Sequence, residues 1–291
     1  KQKTAYEISL GLVGSEMCIR DRVKTLVAEA MRRGYSVLVV DFDGEYHPLE
    51  TLPLSLPIET LADVVARVVA SEARTSGAAT YMAIRKVLRE AKQLGITELL
   101  RGLELEARTE YSLRSGAQAA WSRLEPLEGR AELCSFEEFT KLLRRTGRFD
   151  LSILPATWQR SMVAAVILAA LGLITSIERK GKTLIVLEEA HYYFAQGDGE
   201  HLERMGLRKG VKIVRVQQRM PRDFLNYVPV IGYGGAQWWR TANSDLSVPE
   251  AIRRLRRYEF LYYSPKHREW RKFKLRRWAP CSGSGSGEGA R

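Results

Sequence analysis

The apolar run Thr183-Leu184-Ile185-Val186-Leu187 ends in two adjacent carboxylates, Glu188 and Glu189, followed by Ala190 and His191. An unbroken run rich in β-branched residues, without polar alternation, reads as a strand covered on both faces. Strands of that kind belong to parallel sheets, whose crossovers place helices on either side, so this run points to an α/β architecture. In open sheets of this class, ligands bind beyond the carboxyl ends of the strands. Of two acids placed there, one can hold the water shell of a Mg²⁺ ion and the next can orient or deprotonate an attacking water. Taken alone, the pair reads more simply as a strand end with two solvated acids.

The neighbouring sequence repeats the theme. Leu26, Val27, Ala30 and Met31 give residues 23–33 one apolar helical face, and Gly34 stops it. Ser36 to Val40 is a second buried strand, ending in Asp41-Phe42-Asp43-Gly44-Glu45-Tyr46. Pro48, Pro53 and Pro57 mark a connection. Residues 58–145 carry helical periodicity and no strand signal, which predicts a helical insertion. A strand is predicted from Phe149 to Leu154, and Pro155 can open a long helix to about Arg179. A short helix then ends near Arg208-Lys209-Gly210. Val211 to Val216 is a strand leading into Gln217-Gln218-Arg219. Pro221 and Pro249 open further helices, the second running to Arg257, and residues 236–239 look strand-like. Residues 258–263 and 270–275 form a terminal hairpin. Strands alternating with helices imply a mostly parallel sheet with helices on both faces.

Charge and cysteines bound the partners. Lys and Arg outnumber Asp and Glu by 46 to 34, a formal charge of +12, which favours an anionic partner and leaves the fold open. Cys18, Cys134 and Cys281 are far apart with no CxxC, so neither a disulfide framework nor a zinc site is implied; a reducing, cytoplasmic compartment is the default. The run from Met162 to Ile174 is shorter than the roughly 20 residues that span a bilayer, and reads as a buried helix with no membrane role.

Two ends stand apart. Residues 1–22 close on Glu16-Met17-Cys18-Ile19-Arg20-Asp21-Arg22, which resembles the conceptual translation of a transposase sequencing adapter. Read that way, the stretch is an artefactual segment outside the fold, and residues 23–278 form the core. Residues 279–291 end in the low-complexity SGSGSGEGAR, a flexible tail.

Four segments in order resemble the HerA-type translocases, within the HerA/FtsK group of P-loop motor ATPases. RRGYSVLVVDFDGEY (Arg32 to Tyr46) is similar to the family's strand that ends in an aspartate and GEY. GRFDLSIL (Gly147 to Leu154) is similar to the strand before Walker B, and TLIVLEEAHYYF (Thr183 to Phe194) to Walker B with its catalytic glutamate. LRKGVKIVRVQQRMP (Leu207 to Pro221) is similar to the arginine-lysine pair, strand and glutamine-arginine-proline ending. The resemblance covers most of residues 23–275. It implies a RecA-like P-loop core, ATP and Mg²⁺ as cofactors, double-stranded DNA as partner, a homo-oligomer of hexameric kind and a nuclease partner.

The sequence also departs from that family. No G-x-x-x-x-G-K-[ST] occurs in the 291 residues. Gly11 to Ser15 has similar glycine spacing without the lysine. The family's helix after the P-loop corresponds to residues 23–33, so the first strand and P-loop are expected to be missing by truncation, and this chain is expected to bind ATP poorly. An aromatic is absent between Lys209 and Gly210, and Met220 separates Arg219 from Pro221.

The resemblance gives residues roles. Glu189 corresponds to the general base and Glu188 to the acid that holds Mg²⁺ through water. Asp41 and Glu45 are placed on the polar rim of the nucleotide site, while Asp43 reads equally as a turn former before Gly44. Arg208 resembles an arginine finger for a neighbouring subunit; the competing reading is a cation at a helix C-terminus. Gln218 is a sensor candidate or an ordinary strand-end glutamine. His191 lacks a second ligand at metal-binding spacing and reads as a packing residue. Arg271, Lys272, Lys274, Arg276 and Arg277, interleaved with Trp270, Phe273 and Trp278, are the DNA-contact candidates: basic groups neutralise phosphates and aromatics stack on bases. The alternative is a solvated hairpin face. Three functions remain open: a HerA-type DNA motor, a viral or plasmid DNA-packaging or transfer ATPase of the same superfamily, and a non-catalytic DNA-binding subunit.

Overall fold

The computed structural model describes residues 10–13, 16–73, 77–91, 95–177, 182–216, 228–232, 254–256, 259–264 and 269–274. In chain order the first elements are β1 (Leu10–Val13), α1 (Glu16–Arg32), β2 (Ser36–Asp41), β3 (Thr51–Leu52) and β4 (Ser55–Pro57). Helices α2 (Ile58–Ala73), α3 (Gly77–Glu90), α4 (Ile96–Thr109) and α5 (Arg114–Leu124) follow, then β5 (Glu132–Cys134), α6 (Phe136–Leu142), β6 (Gly147–Asp150) and α7 (Thr157–Ile177). The last part holds β7 (Thr183–Leu187), α8 (Gly199–Lys209), β8 (Val211–Val216), β9 (Val228–Gly232), β10 (Glu259–Ser264) and β11 (Glu269–Lys274).

Nine strands form one sheet in the order β11-β10-β9-β1-β8-β7-β2-β6-β3. All pairings from β9 across to β3 are parallel. Only β10 and β11 run antiparallel to their neighbours. The fold is therefore the expected α/β one with a mostly parallel sheet.

Strand periodicity divides the core between the two faces. Val37, Val39, Leu184, Val186, Val214 and Val216 pack with Val23, Val27 and Ala30 of α1. Leu38, Val40, Ile185, Leu187 and Ile213 face the other way, onto α7 and the helices beyond it. Both faces of β2 and β7 are covered, which is why those strands carry no polar alternation. Helix α7 is long and apolar enough to cross a membrane by length and composition, but two-thirds of its apolar window is buried in this core.

Several expectations need correction. The first strand was expected to be missing, yet Leu10–Val13 lies in the middle of the sheet, paired in parallel with both β8 and β9. An open gap there would leave two facing strand edges without backbone partners, and the short run Leu-Gly-Leu-Val completes both ladders. The 58–145 region contains a strand after all: β5 pairs in parallel with β4 in a separate two-stranded sheet. Three residues are too few to show a period. The proline-broken connection also holds β3, at the sheet edge where a nearby proline is tolerated. Strand β9 was not anticipated because Pro229 argues against a strand on sequence grounds.

Residues 254–256 are not helical. Glu259 N donates to Arg256 O at 2.9 Å, and Arg256 N donates to the Glu259 carboxylate at 2.8 Å, at the start of β10. The helix expected from Pro221 and the strand at 236–239 lie outside the described residues.

Candidate active site

Parallel pairing aligns the carboxyl ends of β1, β8, β7, β2 and β6 on one edge of the sheet, and the acid pair stands there. Glu188 follows the last residue of β7 and is 0 % exposed; Glu189 is 5 % exposed. Phe42 N donates to Glu188 Oε2 at 3.2 Å, and Glu188 N donates to Val40 O. The carboxylate is thus fixed from the neighbouring strand end. Tyr193, fully buried, donates its phenol to the Glu188 carbonyl at 2.8 Å. Burial, with the charges of Glu188 and Glu189 adding, pushes the Tyr193 phenol well above its ordinary pKa, so it stays a donor.

Glu189 has a left-handed backbone, φ 48° and ψ 36°. Asp198 is the other non-glycine residue with positive φ among the described residues. The conformation costs an L-residue about 1–2 kcal/mol, and strain of this kind concentrates at functional sites. It turns the chain sharply out of β7 into a 3₁₀ turn, Ala190–Tyr192. The Glu189 carboxylate lies 3.4 Å from His191 Nδ1. His191 itself packs against Tyr192 with ring centroids 4.0 Å apart. His191 is therefore a neighbour of the proposed base; no cluster of three or more His, Cys, Asp or Glu residues fit for a metal exists among the described residues.

The turn after β2 is built by its own acids. Asp41 is completely buried. Its two oxygens accept from Glu45 N at 2.9 Å and Tyr46 N at 3.0 Å. Arg148 of β6 donates to the same carboxylate at 2.5 Å and pairs with Asp150 at 3.0 Å. Asp41 and Asp150 are register partners across β2 and β6, so one guanidinium serves two adjacent strand ends. Asp41 therefore sits beneath the rim, shaping the turn, instead of on the rim itself. Gly44, at φ 76°, takes the left-handed position the turn requires. Glu45 is half-buried and pairs with Lys24 Nζ of α1 at 3.3 Å. Asp43 pairs with Arg160 of α7 at 3.1 Å. Three alternating acids thus meet cations from three different elements.

Other candidates fall differently. Arg208 lies in the last turn of α8, which Gly210 ends at φ 77°; its side chain lies outside the described residues. Gln218, Arg276 and Arg277 also lie outside them. Arg271, Lys272 and Lys274 are exposed on β11. Successive strand residues point to opposite faces, so Lys272 and Lys274 share one face and Arg271 takes the other. Lys272 bonds Glu259 at 2.7 Å and holds that carboxyl below its ordinary range. As charges on the outermost described strand, these residues also discourage further strand addition.

Sequence reasoning overlooked Arg148, Arg160 and Arg215. Arg215 stacks on Phe194 at 4.0 Å and pairs with Glu203 at 3.1 Å, joining β8 to α8 and to the segment after the acid pair. For Arg148 and Arg215 the available signal was an arginine inside a strand, in GRFD and VKIVRV; Arg160 lies on a helix and gave no such signal.

The donor set fits half of a nucleotide site. Mg²⁺ commonly keeps several waters and takes one or two carboxylates together with substrate phosphates, which suits Glu188 with Glu189 beside it. The phosphate side does not fit. Only Gly14 and Ser15 separate β1 from α1, and no lysine-bearing glycine loop occurs in the sequence.

No protein-family model and no curated protein matches this sequence. Solved structures match in fold. VirB4 of Thermoanaerobacter pseudethanolicus superposes with a TM-score of 0.66 at 14% identity, covering 94% of this chain and 90% of that one. Plasmid coupling protein TrwB, in complex with the ATP analogue ADPNP, gives 0.69 at 12% identity over 96% and 87%. TrwB with ADP and Mg²⁺ gives 0.67 at 11% over the same shares. At such identities the likeness establishes the fold alone: the mostly parallel α/β architecture that this chain shares with those proteins.

Proposed function

We propose that this chain carries the hydrolytic half of an ATP-driven DNA motor of the HerA type. The observation that supports this most is the placement of Glu188 and Glu189 at the carboxyl end of an interior parallel strand. One carboxylate is fixed by the neighbouring turn and the other stands on a strained backbone. Glu188 is assigned to the water shell of Mg²⁺ and Glu189 to the attacking water. Arg208 is assigned as a finger toward a neighbouring subunit of a hexameric ring, with Gln218 as sensor. Glu45 takes the rim and Asp41 supports it. TrwB, a protein of the same fold, binds ADP and Mg²⁺, which supports nucleotide and magnesium as the cofactors. The 291 residues contain no G-x-x-x-x-G-K-[ST] motif to cradle the phosphates.

Double-stranded DNA is the proposed polymer, with a nuclease as companion. The +12 charge and the basic residues of β11, continued by Arg276 and Arg277, support a phosphate-binding role. Two other readings remain. The fold shared with TrwB, a plasmid coupling protein, supports a viral or plasmid DNA-packaging or transfer ATPase as a second reading. The missing lysine favours a DNA-binding subunit without turnover.

The decisive experiment replaces Gly14–Ser15 with a G-x-x-x-x-G-K-T loop and measures Mg²⁺-dependent ATP turnover with and without duplex DNA. The motor reading expects DNA-stimulated turnover that Glu189→Gln abolishes while ATP binding persists. Undiminished turnover in Glu189→Gln removes Glu189 from its role. Arg208→Ala should also be inactive, and mixing it with Glu189→Gln subunits should restore some activity; no restoration argues against a finger acting between subunits.

A further inference from the structure

Arg160 lies in the first turns of α7 and reaches back to the turn after β2. Its Nε donates to Leu154 O at 2.7 Å. Its Nη1 donates to Phe42 O at 3.3 Å and to Asp43 Oδ1 at 3.1 Å. The guanidinium also lies over the Phe42 ring, 5.8 Å from its centroid. The Nε bond anchors the guanidinium to Leu154, and the other three contacts converge on Phe42 and its neighbour Asp43. Phe42 is the residue whose N–H holds the Glu188 carboxylate at 3.2 Å. Its ring stacks on Tyr192 and Tyr193, at 5.5 and 6.2 Å, and Tyr193 holds the Glu188 carbonyl.

We infer that Arg160 is a positioning residue for Glu188, acting through Phe42. The guanidinium fork grips the carbonyl of the Phe42–Asp43 peptide and the Asp43 side chain, which fixes the Phe42 backbone on its C-terminal side. The Phe42 N–H belongs to the preceding peptide, whose carbonyl accepts from Leu151 N at 2.9 Å; with the peptides on both sides held, that N–H is aimed at Glu188. A carboxylate held by a backbone N–H has one fewer rotamer to search when it must face a metal's water shell; a group displaced by about 1 Å at such a site loses most of its effect. Lysine cannot replace this fork, because a point charge cannot grip two carbonyls and a carboxylate in one plane. The Arg160 side chain is partly buried, 21 % exposed.

The consequence for function rests on the assignment of Glu188 proposed above, but the positioning itself does not, and the two are tested separately. The chain is labelled with ¹⁵N-phenylalanine and amide exchange is followed without nucleotide or metal. Phe149 in β6 and Phe260 in β10 serve as references. In Arg160→Ala the Phe42 amide is expected to exchange about tenfold faster while the references keep their rates, since one net hydrogen bond is worth about 0.5–1.5 kcal/mol. Arg160→Lys is expected to recover little of that protection. Glu188→Gln should shift the Phe42 amide proton resonance, because a charged acceptor is replaced by a neutral one.

An unchanged Phe42 rate in Arg160→Ala overturns the inference, as does equal acceleration of all three amides. A Phe42 resonance that ignores Glu188→Gln overturns it too. If Arg160→Ala does not fold, Asp43→Ala removes one of the contacts, and a Phe42 rate unaltered there counts against the inference. Turnover of the loop-restored Glu188→Gln chain tests the metal assignment alone.

Discussion

Arg148 Nη1 lies 2.5 Å from Asp41 Oδ2, with the two side chains 6 % and 0 % exposed. The pair joins β2 to β6 at the carboxyl edge of the sheet and fixes the turn on which Phe42 and Glu45 depend. A buried pair of this kind contributes little over apolar packing, yet breaking it leaves a charge in a dry interior. Arg148→Met is expected to destabilise the fold by about 3–5 kcal/mol. Adding Asp41→Asn to it should cost less than the sum of the single changes. Urea unfolding of the four proteins gives the coupling; strict additivity would refute a direct pair.

The Tyr193 phenol predicts an alkaline signature. Its folded pKa is raised well above 10.0 by burial and by Glu188 and Glu189. Below pH 10 both folded and unfolded chains keep this proton, and its contribution to stability is complete. Above pH 10 the unfolded chain ionises and the folded one does not, so stability falls with rising pH, by up to about 1.4 kcal/mol per unit. Tyr193→Phe lacks this slope. It should be less stable at pH 8, because the Glu188 carbonyl loses its donor, and the gap should narrow by pH 11. Parallel unfolding curves at the two pH values check this; a constant gap would show an unshifted phenol.

Much of the sheet was legible because its signals are local. β2 and β7 announce themselves as apolar runs covered on both faces, β8 as a β-branched run despite Lys212 and Arg215, and the acids that follow β7 fall where the run stops. What could not be read depends on partners distant in sequence. Asp41 looks like a rim acid until Arg148, more than a hundred residues later, is seen to occupy it. Arg160 reads as one helical arginine among many; only folding brings it to Phe42. Strand β9 hides behind Pro229, and β5 is too short to show a period. β1 escaped because its neighbours, β8 and β9, lie some 200 residues downstream, and nothing in Leu-Gly-Leu-Val alone demands a central place.

Cys134 should behave as a core residue. Burial, followed by the charges of Glu138, Glu59 and Glu132, pushes its thiol from 9.0 up to about 12. The thiolate is the reactive form, so at pH 8 the folded chain offers almost none. In a Cys18→Ser, Cys281→Ser background, labelling by a disulfide reagent should be slow and should accelerate with urea in step with unfolding. The raised pKa also adds a stability term that is complete below pH 9 and declines as pH rises toward 12. Rapid labelling in native buffer would place the thiol at the surface.

The backbone of Glu189 allows strain and chemistry to be separated. At φ 48° a Cβ is disfavoured and glycine is at ease. Glu189→Ala and Glu189→Gly both delete the carboxylate, so their difference reports the backbone. Gly is expected to be more stable than Ala by about 1 kcal/mol. That is the reverse of the order at an ordinary strand or helix position, where glycine costs about 0.5–1 kcal/mol. Asp198, at φ 53°, should show the same reversal and serves as a control away from the acid pair. Urea midpoints at constant m-value give the comparison. If Ala equals or exceeds Gly at residue 189, the left-handed turn out of β7 is wrong. The geometry that points Glu189 toward its proposed water is then wrong with it. If the reversal holds, the chain retains a glutamate where glycine would be more stable, as expected of a side chain kept for its chemistry.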